Sequence, residues 1–431
     1  MTPPVVYDLS YVAARLGAAA PTGIERVDLA LARHCLERPD AVPGAARGLH
    51  YGLGAPHRLG AASARRLVAQ ASAGWEPPAA ADPVLAALLR WLRAPPAAFA
   101  PAPAVRRPAP ERALRRLRWR LADDAAPIPR GAVYLNCAQY AFEAPWFFRW
   151  LRRRPDVRPV LFVHDLLPLD HPEFFRAGYE ARFEKRVATV ARFAHAVIVS
   201  SEVVRRRLAA EMARRGRPGL PCLVMPLPPP ATPSGLPAKL SAPPYFVTVG
   251  TVETRKNHLL LLHAWRQLAE QGGTVPRLVI VGARGWESEQ AQDLLDRCRA
   301  LAPHVAEVSG LGSPALAELI GGARALLMPS FAEGYGLPVA EALAAGTPVI
   351  ASDLPVFAEV SQGRAALLDP TDGPGWRDAV TAFTSGSTID RARLEAARYV
   401  PPTWAGALDR LDAFLVGLQK SEASPFTSQS P

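Results

Sequence analysis

The sequence predicts two doubly wound α/β domains, and three observations carry that expectation. The chain has 431 residues, more than one hydrophobic core usually serves, with domains running to roughly 150–200 residues each. From Tyr245 onward, short apolar runs alternate with helical stretches, the pattern of parallel strands joined by crossover helices. Between the halves, Pro226 to Pro244 is too dense in proline for helix or central strand and marks a linker. The expected organisation is therefore a domain over residues 1–225, a linker over 226–244, a domain over 245–400, a helix over 401–420 and a disordered tail over 421–431.

Taken in order, Val5 to Asp8 is a strand and Leu9 to Gly23 a loop that ends in Pro21-Thr22-Gly23 before a helix from Ile24 to about Glu37. This first βα turn is where ligands collect in doubly wound sheets, although it lacks the three-glycine dinucleotide fingerprint. Residues 76–130 form an insert rich in proline, alanine and arginine, assigned to the first domain, in which Val84 to Leu92 suits a helix. Glu111 to Leu121 sets Leu114, Leu117 and Leu121 at helical spacing beside Arg112, Arg115, Arg116, Arg118 and Arg120. That pattern fits first a solvated surface helix docked by its leucines, and second a helix lying on an anionic membrane. Ala132 to Leu135 and Pro159 to Val163 are buried strands, the second running into His164, at the end of the sheet where clefts form. Pro172 to Arg192 is expected as one long helix, Ala196 to Ser200 as a strand, and Ser201 as the cap of a helix over Glu202 to Arg215. Cys222 to Met225 closes the domain.

In the second half, strands are expected at Tyr245 to Val249, Leu278 to Val281, Val305 to Val308 and Ala325 to Met328, with helices at His258 to Gln271, Glu287 to Leu301 and Ala315 to Ile320. After the first strand, Gly250 leads to the adjacent cations Arg255 and Lys256 at a loop-to-helix junction, where a guanidinium fork and a movable ammonium can together neutralise a diphosphate. After Met328 comes a glycine-bearing loop, then a helix opened by Pro338 and stopped by Gly346 and Pro348. A helix that starts there presents unpaired N–H groups and positive dipole to an anion. Glu333 and Glu341 flank the spot, and carboxylates accept hydrogen bonds from sugar hydroxyls.

Composition sets bounds. The formal charge of +11 suits anionic lipid, nucleic acid or a phosphorylated substrate, but only four of the 50 basic residues are lysines, so compositional bias contributes to it. No nucleic-acid-binding module is recognisable. The four cysteines, Cys35, Cys137, Cys222 and Cys298, lack metal-ligand or redox spacing. With no apolar stretch of membrane-spanning length and no secretion signal, the expected location is cytoplasmic, with peripheral attachment to the inner face of the membrane through the basic insert as the variant.

The stretch Glu333 to Ser352 resembles the donor-site signature of the retaining family-4 (group 1) glycosyltransferases, in which two glutamates separated by seven residues hold a nucleotide sugar. The resemblance is strong over about 244–383, moderate over 159–208 and the first 35 residues, and absent from about 54–130. It implies the GT-B fold, two Rossmann-like domains facing each other across a cleft. It further implies that Glu333 contacts the donor hexose and Glu341 the ribose, with Gly334, Tyr335, Gly336 and Leu337 near the diphosphate. Arg255 and Lys256 resemble the family's diphosphate-binding pair, Gly250 belongs to the same loop, and Gly310-Leu311-Gly312 looks like the loop that meets the nucleobase, through Leu311. Gly23 sits in a loop similar to the one that approaches donor phosphate or acceptor, and His164 resembles the residue that touches the transferred sugar. The resemblance is to polysaccharide mannosyltransferases, implying GDP-mannose as co-substrate, with UDP-hexoses second, and a glycan or lipid-linked glycan as acceptor. It implies retention of configuration with no metal and no further cofactor. A catalytically silent nucleotide-binding homologue is the alternative.

Overall fold

The computed structural model describes residues 3–16, 22–39, 42–52, 56–72, 82–100, 119, 121–230, 244–384 and 386–420. These fall into two compact units, one drawn from 1–75, 106–227 and 403–431, the other from 76–105 and 228–402. Each is a doubly wound α/β unit, as the alternation of apolar runs and helical stretches predicts.

The first unit is built on a seven-stranded sheet of β1 (Val5–Asp8), β2 (Gly48–Tyr51), β3 (Pro56–Leu59), β4 (Val133–Asn136), β5 (Arg158–Phe162), β6 (Ala196–Val199) and β7 (Cys222–Val224), in the order β3-β2-β1-β4-β5-β6-β7. All pairings are parallel except β2 with β3. Strand order reverses between β1 and β4, the topological switch point where loops diverge and leave a crevice. One face is filled by Tyr134, Phe142, Phe148 and Phe193. The closing helix Trp404–Lys420 belongs to this unit, where Asp412 meets His34 at 3.1 Å and Arg38 at 3.4 Å.

The second unit is a six-stranded, all-parallel sheet of β8 (Tyr245–Val249), β9 (Arg277–Val281), β10 (Val305–Val308), β11 (Leu326–Met328), β12 (Val349–Ser352) and β13 (Ala366–Leu368), in the order β10-β9-β8-β11-β12-β13. Its switch point lies between β8 and β11. Trp265 and Trp376 are fully buried in its core, and each indole N–H finds a carbonyl, of Pro276 at 2.8 Å and Asp369 at 2.9 Å.

Several expectations are corrected. The loop over Leu9 to Gly23 contains a short helix, Ser10–Ala14. The long helix over Pro172 to Arg192 is a 3-10 turn, Pro172–Phe174, followed by a helix at Tyr179–Phe193, the two separated at Gly178, whose φ of +78° only glycine adopts without strain. The helix over Glu287 to Leu301 is limited to Glu289–Arg297. The insert does not belong wholly to the first domain, because residues 82–100, including the helix Pro83–Arg93, gather with the second unit. The basic stretch over 111–121 lies outside the described residues apart from 119 and 121, as do most of the linker and the tail.

Close backbone approach fixes the mouth of the second sheet. A Cβ on Gly282, just past β9, would sit 1.8 Å from the carbonyl oxygen of Gly250, just past β8. The two strand ends therefore touch through backbone alone. Gly282→Ala is expected to force them apart and cost about 1–3 kcal/mol, the usual range for overpacking, measured by urea denaturation; an unchanged midpoint would contradict this account.

Candidate functional site

At the switch point of the second unit, the loops after β8 and β11 are pinned to each other. The Phe331 N–H donates to the Arg255 carbonyl at 2.9 Å, Arg255 Nη1 donates to the Ala332 carbonyl at 2.8 Å, and Asn257 Nδ2 donates to the Pro329 carbonyl at 3.1 Å. Asn257 holds a left-handed backbone at φ +54°, a conformation asparagine tolerates better than most residues. Gly250, at φ +153°, leaves room for the Lys256 stem, which would lie 3.1 Å from a Cβ at that position. The loops thus place four charges together. Arg255 contacts Glu253 at 2.6 Å and Glu333 at 3.2 Å, Lys256 is paired directly with Glu333, and the Ser330 hydroxyl donates to Glu333 at 2.8 Å.

All four side chains are largely buried. Burial alone would raise the Glu333 pKa, but Lys256 and Arg255, with hydrogen bonds from Lys256 and Ser330, outweigh it and hold the carboxyl at about 2. The site thus keeps an ionised carboxylate against two cations. Glu253, which the sequence reading passed over, is the second counter-charge; its only signal is its position two residues before Arg255.

Beyond Glu333, Gly334, Tyr335 and Gly336 lead into the helix Leu337–Ala344. Gly336 caps it at φ +87° without a side-chain hydrogen bond, and a Cβ there would strike the Phe357 ring at 2.6 Å. Pro338 lies in the first turn as expected. Glu341 is the fifth residue of this helix and partly buried. Leu311 is buried in the loop after β10, next to Gly310 at φ +82°.

The first unit holds His164 and Gly23. His164 follows β5, stacks on Phe162 at 4.4 Å between centroids, and contacts the Cys137 carbonyl through Nε2 at 2.8 Å. Burial lowers its pKa to about 4, against the raising effect of that carbonyl, so the ring is neutral near pH 7 and donates Nε2–H. Gly23 begins the helix Gly23–Glu37, which Thr22 and Glu25 close in a reciprocal capping box. The switch point of this sheet is occupied by Asp8, which accepts from the Ser10 N–H at 2.8 Å, from Asn136 at 3.0 Å and from the Tyr134 hydroxyl. Among the described residues, no group of three or more His, Cys, Asp or Glu has metal-binding geometry, and no helix is long and apolar enough to cross a membrane.

The charge network makes a stability prediction. Glu333 has a folded pKa below its ordinary 4.5, so its stabilising contribution is present above pH 4.5 and is lost as pH falls toward 2. Denaturant titrations should show wild type losing stability across that window. Glu333→Gln should lack that component of the loss and be weaker at pH 7 by about 3 kcal/mol, the scale for removing one partner of a buried pair. Equal stability of the two proteins at pH 7 would refute the network's role.

Residues 243–385 match the family model described as Glycosyl transferases group 1. Serotype-specific mannosyltransferase WbdA of Escherichia coli is 32% identical over 219 residues, spanning 47% of this chain and 27% of WbdA. O-antigen chain mannosyltransferase B of Escherichia coli is 32% identical over 153 residues, 36% of this chain and 39% of its own length. The chain thus aligns with less than half the length of either relative. Among solved structures, sucrose-phosphate synthase from Thermosynechococcus elongatus is similar with a TM-score of 0.51 at 19% identity, over 74% of this chain and 82% of that one. A mutant of S. aureus TarM is similar with a TM-score of 0.50 at 13% identity, over 66% of this chain and 55% of that one. At these identities the structural likeness speaks to fold alone, and the fold class is GT-B. The stretch that matches the group 1 glycosyltransferase model thus coincides with the second of two Rossmann-like units.

Proposed function

We propose that this chain is a retaining hexosyltransferase that moves mannose from GDP-mannose to a glycan, carried on a lipid, in the assembly of a surface polysaccharide. The observation that carries the reading is the pairing of Arg255 and Lys256 with a buried carboxylate at the switch point of a parallel sheet, inside the group 1 domain. The mannose assignment is supported by the relatives, which are named as mannosyltransferases.

In this reading the two cations meet the donor diphosphate, Glu333 accepts from hydroxyls of the hexose, Glu341 holds the ribose, and the backbone from Gly334 to Leu337 lies along the diphosphate. Gly250 and Gly23 allow close backbone approach, Leu311 lies by the base, and neutral His164 offers a hydrogen bond to the transferred sugar. Because Lys256 faces Glu333, an incoming diphosphate exchanges with that carboxylate for the ammonium, and the released carboxylate turns to the sugar. Transfer then proceeds on one face of the ring. The bond from the anomeric carbon to the phosphate oxygen breaks, the bond to the acceptor oxygen forms, and the acceptor's hydroxyl proton passes to the leaving diphosphate. Arg255, Lys256 and the N-terminus of the helix Leu337–Ala344 stabilise the charge that grows there, so no metal is required. The protein works on the cytoplasmic side, against an anionic membrane surface that presents the acceptor.

Steady-state kinetics with GDP-mannose and UDP-hexose donors tests this. Lys256→Ala should lower kcat by about 100- to 1,000-fold, the cost of losing one donor to a developing oxyanion. Glu341→Ala, which removes a contact common to ground and transition states, should raise KM with kcat nearly unchanged. Turnover with UDP-hexose alone would reassign the donor, and no turnover with any nucleotide sugar would leave a silent homologue. Activity is also expected to survive EDTA; loss restored by Mg²⁺ or Mn²⁺ would refute the metal-free step.

A further inference from the structure

Residues 82–100 join the second unit from far back in the sequence, and one helix is fastened there at both ends. At its start, Asp82 is buried. One carboxylate oxygen caps the helix Pro83–Arg93 by accepting from the N–H groups of Val84 at 2.9 Å and Leu85 at 3.1 Å, and the other accepts from the N–H of Gly312 at 3.3 Å. At its end, Arg277 is 2% exposed, donates to the carbonyls of Trp91 and Ala94, the latter at 2.6 Å, and lies 4.5 Å over the Trp91 ring. Arg277 opens β9 and Gly312 follows β10, so the helix, about 16 Å long at 1.5 Å per residue, straps this side of the sheet from one end to the other.

The upper fastening has a chemical consequence. Gly310, Leu311 and Gly312 form the loop after β10, with Gly310 left-handed at φ +82° and Leu311 buried. Commitment of the Gly312 N–H to Asp82 removes a donor from this loop and adds a carboxylate beside it. A carboxylate has about four acceptor sites, and Asp82 uses three. Asp82 therefore brings one unused carboxylate acceptor site to this loop. Guanine presents two donor groups, N1–H and N2–H₂, beside one carbonyl, whereas uracil presents one N–H between two carbonyls.

We propose that Asp82 determines base selectivity, setting a carboxylate acceptor beside the Gly310–Gly312 loop that takes a guanine nucleotide in preference to a uracil nucleotide. This rests on the reading of Leu311 as lying by the base of the donor. Asp82 acts as a positioning residue, since it shapes the loop rather than touching the reacting atoms.

The test measures the affinities of GDP, UDP and inorganic pyrophosphate for the full chain by calorimetry, in wild type, Asp82→Ser and Asp82→Asn. Serine retains helix capping but is too short to hold Gly312 as well, so Asp82→Ser separates the two functions. Wild type should favour GDP over UDP by about tenfold or more, the scale on which one well-placed base-edge contact discriminates. Asp82→Ser should erase most of that ratio while pyrophosphate affinity and thermal midpoint stay near wild type, and Asp82→Asn, which replaces an acceptor with a donor, should move the ratio toward UDP. An unchanged ratio in both variants, or a wild-type preference for UDP, overturns the proposal while leaving the nucleotide site intact. If wild type binds none of the three, the functional reading itself fails.

Discussion

The second unit depends on one buried interaction, the Glu333 carboxylate held between Arg255 and Lys256. These groups come from two loops that leave adjacent strands in diverging directions, and nothing in a parallel sheet by itself requires such loops to meet. In a largely buried setting the attraction between opposite charges is strong, while an unpaired charge is heavily penalised, so both loops must adopt the geometry that pairs them. The backbone bonds between Phe331 and Arg255 and between Asn257 and Pro329 then lock what the charges select. The four charges sum to zero, two cations against Glu253 and Glu333.

The two sheets share a topology but use their switch points differently. In the first, Asp8 is tied to Ser10, Tyr134 and Asn136, and the carbonyl of the following residue, Cys137, holds His164. Burial raises the Asp8 pKa to about 6 despite those hydrogen bonds, so this carboxyl takes up a proton in mildly acidic conditions where Glu333 is still ionised. The difference is the presence of cations. One crevice is closed by an acid that joins two strands, and the other by an ion pair that joins two loops.

Much of this was legible in the sequence because the signals are local. Alternating apolar runs gave the strands of the second unit, Pro338 and Gly346 bracketed the helix, and the adjacent cations and Glu333 stood out as residues on the ligand side of parallel strands. The structure brings Arg255, Lys256 and Glu333 into contact, with Glu341 one turn into the following helix. Glu253 was missed because a single glutamate in a loop carries no periodicity. The strands β2 and β3 and the helix Ala61–Ser72 were left unread, since four-residue strands joined antiparallel show too little pattern. The long helix placed over Pro172 to Arg192 failed on one residue, Gly178, which helical periodicity does not weigh.

The strap is the part that no local signal could place. Asp82 before Pro83 reads correctly as a helix start, but its second partner lies 230 residues away, and Arg277 reaches Trp91 across 186. Bringing such distant segments together costs loop-closure entropy that grows only slowly with separation, so a few well-formed contacts suffice to retain the docked state. Arg277 supplies them economically: its planar fork donates to the carbonyls of Trp91 and Ala94 at the end of the helix, and its flat face rests on the indole. A charge buried at the start of a central strand would otherwise be a liability. Its burial makes sense only with the strap in place, and the same docking brings a carboxylate to the loop after β10.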